Sequence, residues 1–523
     1  MKKQITAFLI MFCLVITFIA CSEKGNDNES SAQSANQASG ESAESSGTTS
    51  GTTSGTTSGT TSAEESEYTL LDKRFNETVT IFGKKDGAHS YSRQQWEYDD
   101  ETKGDAINDA VNERNIWLYD NYGITVKYIA NGPDDYFIDK SVINMVLGNT
   151  GAYDIVCDGL TTMASLAVGD YLYPLNNISE YLDLNCSWWD QRVTETLSIC
   201  GEVYYAAGDI LITDDEYTYC MLYSKDLMET NLISADYGGR SMYDIVNDGD
   251  WTYDTLFAMA KKCAAITTGG SAMTLDDTWG YVGDIGCLQI MMAGGGYIMA
   301  QKDGNDIPSL NVASETAVNL FSKLTDYMND ASYCKFMERF GVDGYYGVAE
   351  NMFSDGKIAF YNVKLSSLTT ILKNTESNTI IGVLPIPKAS TNQDYYYNAA
   401  APLHFSCVGI PVSVSEEKLD AVCVTLEALG YLGQQSLTKA YIETTLKIKR
   451  ADQSQDSDMI DLILKTRCFD LALAYNWGGL NSFFNQFAGS SNTAFVSTWD
   501  SVSSKAQTDM EATINFFIGK SGN

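Results

Sequence analysis

The sequence predicts an α/β fold, because three β-rich runs alternate with helical patterns early in the chain. Residues 78–83 form the first run, and residues 124–130 and 154–157 form the second and third. Between them, apolar side chains recur at helical spacing over residues 107–122, and a second helix is expected over residues 134–147. Strands that alternate with helices pair in parallel and are covered by those helices. Ligands of such sheets gather at the carboxyl ends of the strands, so site residues are expected there.

A second α/β region follows, and the last hundred residues are expected to be largely helical. Residues 219–223 predict a strand, and Thr252 suits the N-cap of the next helix. From Glu416 onward helical patterns dominate. The chain has 523 residues, whereas a single hydrophobic core stops growing at about 250–300 residues. More than one compact unit is therefore expected.

The first twenty residues are predicted to be a signal peptide. Lys2 and Lys3 form a short basic head, and residues 5–20 are an apolar run shorter than the roughly 20 residues of a membrane span. The run ends in Phe18-Ile19-Ala20-Cys21, which resembles the lipobox of bacterial lipoproteins. That resemblance implies cleavage before Cys21 and lipidation of this cysteine at the outer face of the cytoplasmic membrane. An ordinary signal peptide with an incidental cysteine is the alternative.

Residues 21–67 comprise the lipidated cysteine and a predicted disordered spacer. The spacer is rich in Ser, Thr and Gly, and residues 47–62 contain four consecutive Gly-Thr-Thr-Ser units. So few apolar groups cannot offset the entropy cost of ordering the chain. As a flexible coil the spacer would span roughly 35–40 Å, which holds a folded body clear of a membrane.

The composition excludes several classes of partner. Lys and Arg number 34 against 68 Asp and Glu, so the formal net charge is −34. Such an acidic surface repels phosphates, and no nucleic-acid partner is expected. The chain has only two histidines, His89 and His404, which are too few for a histidine-rich metal centre. We therefore expect neither a metal nor a cofactor.

Eight short motifs occur in a fixed order along the body of the chain. They are the first strand (78–83), DIV (154–156), GDYLYPL (169–175), GEVYY (201–205), LYSKDL (222–227), WTYDTL (251–256), FSDGKIAF (353–360) and IGVLPIP (381–387). In this order they resemble an extracellular solute-binding protein of an ABC importer, of the family 1 type that belongs to the maltose/oligosaccharide-binding superfamily.

The resemblance implies a two-lobed fold of the periplasmic-binding-protein type II kind, in which each lobe is a sheet flanked by helices and the C-terminal segment is helical. Lobe 1 would comprise residues 68–217 plus 385–435, and lobe 2 residues 218–384 plus 436–523. The chain would cross between the lobes near residues 217–222 and again near residues 384–387. The resemblance also implies a monomer that clamps a solute in the cleft and then docks on a membrane permease.

The ligand is expected to be a small polar solute, and an uncharged saccharide suits the composition best. The chain holds 32 Tyr, 20 Phe and 8 Trp. Aromatic rings pack on the C–H faces of sugars, and polar side chains bind the sugar hydroxyls. Most of these rings are nevertheless expected in the core. A basic peptide or a polyamine is the alternative ligand.

The candidate ligand-binding residues follow from their positions along the chain. Three follow the first strand, two follow the third strand, one follows the 201–205 motif, three follow the 353–360 motif, and one lies in the C-terminal tail. They are Lys84, Asp86, Trp96, Asp158, Thr161, Asp209, Tyr361, Asn362, Lys364 and Trp477. After the 353–360 motif, maltose-binding relatives carry a ligand-stacking Trp that this chain lacks. Trp477 is the strongest candidate for stacking on a ligand, and a buried structural Trp is the alternative.

An exported lipoprotein hydrolase that acts on glycans is the main alternative function. Two carboxylates suffice for glycoside cleavage, and acidic pairs occur at residues 99–100, 134–135 and 214–215. Adjacent acids point to different sides of the chain, however, so these pairs are interpreted as solvated surface turns. The sequence contains neither a Gly-x-Ser-x-Gly elbow nor a His-Glu-x-x-His zinc motif. We therefore expect a binding protein rather than an enzyme.

Ten cysteines remain once Cys13 and Cys21 are assigned to the signal and the anchor. Export permits disulfides, but scattered cysteines are equally typical of small buried residues. Their pairing therefore stays open.

Overall fold

A computed structural model describes residues 67–373, 379–446 and 453–521. The predicted signal peptide, Cys21 and nearly all of the spacer lie outside the described residues. Within the described part of the chain, no helix combines the length and the apolar character needed to cross a bilayer.

The strands of the described residues are β1 (Thr78–Gly83), β2 (Thr125–Ala130), β3 (Ile155–Gly159), β4 (Tyr219–Ser224), β5 (Trp279–Gly283), β6 (Ala300–Lys302), β7 (Pro308–Leu310), β8 (Cys334–Phe336), β9 (Ile358–Lys364), β10 (Ile381–Leu384), β11 (Asn398–Ala399), β12 (Ser406–Gly409) and β13 (Arg467–Cys468).

The helices are α1 (Ala106–Tyr122), α2 (Asp139–Leu147), α3 (Leu160–Val168), α4 (Gln191–Leu197), α5 (Thr213–Glu216), α6 (Lys225–Thr230), α7 (Ile233–Asp236), α8 (Met242–Asn247), α9 (Tyr253–Cys263), α10 (Cys287–Gly294), α11 (Glu315–Met328), α12 (Tyr345–Ser354), α13 (Leu365–Lys373), α14 (Glu416–Leu432), α15 (Thr438–Leu446), α16 (Gln453–Lys465), α17 (Leu471–Ala474) and α18 (Phe495–Ser521). A kinked 3₁₀ segment, Trp477–Gln486, precedes α18.

The first sheet contains the three early strands that the sequence predicts. Its order is β12-β3-β1-β2, with β1 parallel to both β2 and β3 and with β12 antiparallel to β3. Strand β3 is buried along its whole length, as is typical of a strand covered on both faces. The carboxyl ends of β1 and β3 therefore lie side by side, and β12 begins beside the end of β3.

The second sheet is mixed and has the order β10-β4-β9-β5-β8. Strand β4 is antiparallel to β9 and β10, whereas β5 is parallel to β9 and β8. Tyr219 at the start of β4 therefore pairs with Lys364 at the end of β9. The predicted two-lobed α/β fold, with each sheet flanked by helices, is confirmed.

The chain passes between the two sheets through segments that contact one another. The backbone N–H of Ala401 donates to the carbonyl oxygen of Tyr217 at 2.9 Å, and Thr218 forms a β-bridge with Ala400. Strand β11 pairs in parallel with β13 from the C-terminal tail. Helix α15 contacts α1, whereas α16 contacts β10, so the tail passes from one sheet to the other. The residue limits of each lobe stay a prediction.

Helix α9 begins at the N-cap that the sequence predicts, and α1 begins at an N-cap that the sequence analysis did not name. The Asp105 carboxylate accepts the backbone N–H of Ile107 and starts α1, and this helix ends at Gly123 with a φ of 68°. The Thr252 side chain accepts the backbone N–H of Thr255 and starts α9.

Helix α2 is shorter than the sequence predicts, because it begins at Asp139 rather than at residue 134. The backbone N–H of Ile138 donates to a carboxylate oxygen of Asp158 at 2.9 Å. This bond ties the preceding loop to the end of β3, which is where a ligand site is expected.

A buried ion-pair cluster corrects the interpretation of one acidic pair. Asp214 and Asp215 were expected on a solvated turn, yet they are 1% and 6% exposed. The guanidinium of Arg467 lies 2.6 Å from Asp215, 2.8 Å from Asp190 and 3.7 Å from Asp214. Burial nevertheless raises the pKa of Asp214 and of Asp215. The sequence could not reveal this partner, because Arg467 lies 252 residues beyond Asp215.

None of the ten cysteines of the described residues forms a disulfide, and seven of them are buried. They pack as small apolar side chains, which is one of the two roles that the sequence left open.

We predict that Glu427 of α14 makes the protein more stable as the pH falls from about 8 to about 5. Its buried carboxylate accepts the indole N–H of Trp189 at 3.1 Å, and burial raises its pKa to about 7. An acid whose pKa is higher in the folded state binds its proton more tightly there. The resulting stability is complete below the unfolded pKa of about 4.5 and is lost as the pH rises through 7.

Glu427→Gln keeps an acceptor for Trp189 and removes the buried charge. Urea unfolding should show it to be more stable than the parent at pH 8 by on the order of 1–3 kcal/mol, with a weaker pH dependence. Glu416→Gln, which changes an exposed acid on the same helix, should shift stability by less than about 0.5 kcal/mol. An unchanged pH profile in Glu427→Gln would contradict this assignment.

Candidate ligand-binding site between the two sheets

The ends of β1 and β3 bring a buried lysine and a buried aspartate together. Lys84 directly follows β1, Asp158 lies in β3, and the two side chains form an ion pair at 3% and 0% exposure. The Asp158 carboxylate also accepts the N–H groups of Ile138 and Gly159. Burial raises the pKa of Asp158, and the Lys84 ammonium opposes that shift. The same ammonium lies 4.5 Å from the ring centroid of Tyr136, which is a cation–π distance.

Four rings form a cluster beside this pair: His89, Tyr136, Tyr217 and His404. The Tyr136 hydroxyl lies 3.1 Å from His89 Nε2 and 3.2 Å from His404 Nδ1, so it links the two imidazoles. The Tyr217 ring lies 4.2 Å from the His89 ring and 5.1 Å from the His404 ring. Burial is the main cause that lowers the pKa of His89 to about 2 and of His404 to about 4, so both are neutral at pH 7. The cluster offers ring faces together with hydrogen-bonding groups.

A second polar cluster lies at the facing edge of the second sheet. Lys364 Nζ lies 3.2 Å from Asp284 Oδ2, and the Tyr219 hydroxyl donates to that oxygen at 3.2 Å. The same ammonium lies 4.8 Å from the Tyr219 ring centroid and 5.8 Å from that of Tyr346, which is 46% exposed. Burial, together with the Asp284 charge, raises the pKa of nearby Glu338.

His404 lies within the electrostatic reach of both clusters. Besides burial, the ammonium groups of Lys364 and Lys84 lower its pKa, and the Asp284 carboxylate acts in the opposite direction. These charges come from different sheets, so His404 marks the cleft between them. Each lysine has an aspartate partner, so an anionic ligand would meet no unpaired positive charge. Within the described residues, no three His, Cys, Asp or Glu side chains converge as a metal site requires.

A small apolar pocket is lined by residues that are near these clusters in the sequence. Both lobes and the segments that join them line it, through Leu160, Gln289, Ala293, Tyr297, Ile298, Met299, Ala399, Ala400, Pro402, Cys468, Phe469, Asp470 and Leu473. The N–H of Leu160 donates to the carbonyl of Phe405, and the N–H of Thr161 donates to that of Pro402, both at 3.0 Å. The pocket therefore begins within two residues of Asp158 and of His404.

Ring faces and paired charges between the two sheets are suited to binding a small molecule. A comparison with known protein families supports this interpretation. Residues 112–444, more than half of the chain, match the family model of the bacterial extracellular solute-binding proteins. The chain belongs to this family. No curated protein sequence matches it.

Solved structures of solute-binding proteins share the fold. UgpB from Mycobacterium tuberculosis, in complex with glycerophosphocholine, is 13% identical with a TM-score of 0.55, over 84% of this chain and 99% of that chain. An ABC transporter solute-binding protein from Thermotoga lettingae, bound with α-D-tagatose, is 14% identical with a TM-score of 0.50, over 84% and 100%. A cyclo/maltodextrin-binding protein complexed with maltotetraose is 13% identical with a TM-score of 0.51, over 84% and 97%. At these identities the likeness shows the two-lobed fold alone.

Four of the sequence-predicted residues lie at the cleft of this solute-binding protein. Lys84 and Asp158 form the ion pair of the first lobe, and Lys364 belongs to the facing cluster. Thr161 follows the pocket-lining Leu160, and its hydroxyl accepts the side-chain N–H of Asn481 at 3.3 Å. Their contact with a ligand stays a prediction.

Two residues of β9 lie behind the cleft. Asn362 is fully buried, and its amide donates to the Tyr281 hydroxyl at 3.0 Å. Tyr361 points to the opposite face of the sheet, because side chains alternate along a strand, and it packs on Phe353 with ring centroids 5.4 Å apart. The sequence analysis selected both residues because they follow the 353–360 motif, but the last residues of that motif already belong to β9.

Three more of the predicted ligand-binding residues contact protein groups outside the two polar clusters. Trp96 is fully buried in the core of the first lobe, because the loop after β1 folds back onto the sheet. Asp86 is 61% exposed and pairs with Arg93 at 2.8 Å. Asp209 accepts the Thr438 hydroxyl at 2.7 Å, and burial raises its pKa to about 6.

Trp477 is 1% exposed, so its ring offers no free face to a ligand in this structure. Its indole N–H donates to the Thr513 hydroxyl of α18 at 2.9 Å, and its ring stacks on Tyr475 with centroids 5.7 Å apart. The geometry favours the buried structural Trp that the sequence left as the alternative.

We therefore predict that Trp477→Leu lowers the free energy of unfolding without ligand by about 2 kcal/mol, because a large ring and a hydrogen bond are lost from the core. Ligand affinity should stay within about twofold of the parent, a change worth about 0.4 kcal/mol. Thr513→Val removes the acceptor of the Trp477 N–H and the bond that the same hydroxyl donates to the carbonyl of Asp509, and it should cost about 1–2 kcal/mol. If Trp477→Leu melts like the parent but no longer binds ligand, the Trp477 ring stacks on the ligand after all.

The sequence missed His404, Tyr136, Tyr217, Asp284 and Tyr346. Asp284 directly follows β5, just as Lys84 follows β1. The search for polar residues after strands would have found Asp284 if residues 279–283 had been recognised as a strand. His404 precedes an antiparallel strand, so it reaches the cleft from the amino end of β12, where the rule for parallel strands does not apply.

Proposed function

We propose that this protein is the extracellular receptor of an ABC importer and that its ligand is an uncharged saccharide. The composition of the cleft carries the proposal: Tyr136 and Tyr217 on one side and Tyr346 on the other lie beside lysine–aspartate pairs. Ring faces suit the C–H faces of a sugar, and paired charges present donors and acceptors to its hydroxyls. The tagatose and maltotetraose of the structural neighbours support this ligand class.

The mechanism requires only hinged lobes and a ligand that binds the closed form more tightly than the open form. A ligand that contacts both clusters stabilises the closed form, and its preference for that form sets how far the equilibrium shifts. The closed protein then delivers the solute to a permease. In this proposal the solute leaves chemically unchanged, and the protein acts as a monomer and not as an enzyme.

We further propose that the chain is exported and lipid-anchored through Cys21, with residues 22–67 as its tether. The apolar run and the lipobox-like residues 18–21 support this. Expression in a Gram-positive host with a labelled fatty acid should label the parent and not Cys21→Ser. Label on both proteins, or on neither, would contradict the anchor.

Thermal melting of the mature protein against a ligand panel tests the function. The panel contains neutral mono- and oligosaccharides, sugar phosphates, polyamines and basic peptides. One class of neutral saccharide should raise the melting temperature in a dose-dependent way and should be recovered intact. A rise with sugar phosphates or polyamines only, or a sugar that is cleaved, would contradict the proposal.

A further inference from the structure

Three adjacent strands of the second sheet end at the same edge, and each brings a charged side chain there. Strand β5 runs parallel to both β9 and β8, so the carboxyl ends of the three strands lie side by side. Lys364 ends β9, Asp284 directly follows β5, and Glu338 lies two residues after the end of β8. Ligands of α/β sheets bind at such carboxyl ends. Glu338 therefore lies at the same edge as the Lys364–Asp284 pair.

Glu338 differs from the other carboxylates of the two polar clusters in its hydrogen bonds. The two oxygens of Asp284 accept a backbone N–H and the Tyr219 hydroxyl, and those of Asp158 accept two backbone N–H groups. From the other described residues, Glu338 accepts only the backbone N–H of Ile285, through Oε2 at 3.0 Å. Its side chain is half-buried, so a molecule in the cleft can reach the second oxygen, Oε1. A carboxylate oxygen accepts hydroxyl hydrogens, and this one has capacity left.

Glu338 also carries the unpaired charge of the two clusters. Lys84 pairs with Asp158 and Lys364 pairs with Asp284, whereas no ammonium or guanidinium of the described residues forms an ion pair with Glu338. Burial and the Asp284 charge raise the pKa of Glu338, and the more distant Lys364 ammonium opposes them only in part. The two clusters together therefore hold one negative charge without a counter-charge.

An exposed aromatic ring accompanies this carboxylate. A short loop joins Glu338 to Tyr346, and its Gly341 and Gly344 have φ values of 76° and 67°, which favour glycine. Burial, together with the charges of Asp284 and Glu338, raises the pKa of Tyr346, so the carboxylate lies within electrostatic reach of that hydroxyl. The Tyr346 side chain is 46% exposed. A sugar whose C–H face packs on this ring can direct hydroxyl groups toward Glu338.

We propose that Glu338 binds hydroxyl groups of the saccharide and selects against acidic sugars. Its Oε1 accepts the hydroxyls in charge-assisted hydrogen bonds, which are stronger than bonds between neutral groups. Its charge repels a carboxylate or a phosphate on the sugar, and no unpaired lysine of the clusters compensates for that repulsion. The proposal rests on the proposed function and deepens it, because it names the residue that makes the receptor prefer neutral sugars.

Titration calorimetry of Glu338→Gln tests the proposal. Each neutral saccharide of the melting panel that binds the parent is paired with its C6 acid, such as glucose with glucuronate or galactose with galacturonate. The parent should bind the neutral member at least about tenfold more tightly. Glutamine keeps an acceptor for Ile285 but replaces the second oxygen with an N–H donor. The preference should therefore fall at least about fivefold in the variant, and the neutral sugar should bind about three- to tenfold more weakly.

A preference that is unchanged in Glu338→Gln would overturn the inference and leave the saccharide receptor intact. The same holds if the parent binds the acidic sugar as tightly as the neutral one. If no neutral saccharide of the panel binds the parent, the proposed function fails, and the inference fails with it.

Asp330→Asn is the matched control. Asp330 lies before β8, at the opposite end of the strand, and its carboxylate likewise accepts a backbone N–H, that of Ser332, at 3.0 Å. Both variants keep this kind of acceptor, so both should melt within a few degrees of the parent. Asp330→Asn should leave the affinities for both members of each pair unchanged. Equal loss of sugar binding in the two variants would assign the effect to the folding of β8 and would overturn the contact between Glu338 and the sugar.

Discussion

Asp158→Asn is expected to lower the free energy of unfolding by about 3–5 kcal/mol, because it leaves the buried Lys84 ammonium without its counter-charge. Both side chains of the pair are at most 3% exposed, so water cannot replace the lost carboxylate. The N–H groups of Ile138 and Gly159 donate to different oxygens of Asp158, so asparagine keeps an acceptor for only one of them, and a lost hydrogen bond adds to the cost of the lost charge. Urea unfolding at pH 7 measures it.

Two further variants control this prediction. Asp86→Asn removes a carboxylate that is 61% exposed in the loop after β1, and should cost less than about 1 kcal/mol although it also loses an arginine partner. The double variant Lys84→Met with Asp158→Leu removes both charges and should recover much of the loss. A cost for Asp158→Asn no larger than that for Asp86→Asn would show that Lys84 finds water or another partner.

Arg467→Met is expected to destabilise the protein by a similar amount, about 3–5 kcal/mol. It leaves the Asp190, Asp214 and Asp215 carboxylates buried without the guanidinium that lies within 4 Å of each. Methionine fills much of the same volume, so the loss reports charge rather than a cavity. Stability of the variant should increase as the pH falls, because protonation then neutralises the three acids.

Arg240→Met is the matched control. Arg240 also pairs with two aspartates, Asp248 and Asp250, but it is about one-third exposed. Its replacement should cost less than about 1 kcal/mol. If Arg467→Met unfolds like the control, the cluster is solvated in solution and does not depend on Arg467.

The sequence predicted the α/β class, the early strands and the Thr252 helix cap because these depend on neighbouring residues. Thr78–Gly83 and the Thr252 cap need nothing beyond a few positions of local pattern. The burial of Asp214 and Asp215 depends on Arg467, which no local pattern connects to them. Local sequence therefore favoured the exposed turn.

Only part of the candidate site could be predicted, because the rest depends on residues that are distant in the sequence. The rule that polar residues follow buried strands found Lys84 and Asp158, which the parallel pairing of β1 and β3 places together. Trp477 was favoured by composition and by its place in the tail, yet its surroundings depend on α18, which packs over it. His404 lies in the cleft because it precedes β12, an antiparallel strand that the sequence analysis did not predict.

The central claim is that one ligand contacts both lobes, and titration calorimetry of single-lobe variants tests it most directly. The saccharide selected by the melting panel is titrated into Tyr136→Ala, Tyr346→Ala and, as control, Tyr119→Ala, whose ring is 55% exposed on α1. Each cleft variant should weaken binding about tenfold or more, since each removes a ring face from a different lobe, while Tyr119→Ala binds as the parent does. Parent-like affinity in either cleft variant would place the ligand on one lobe alone and contradict the account.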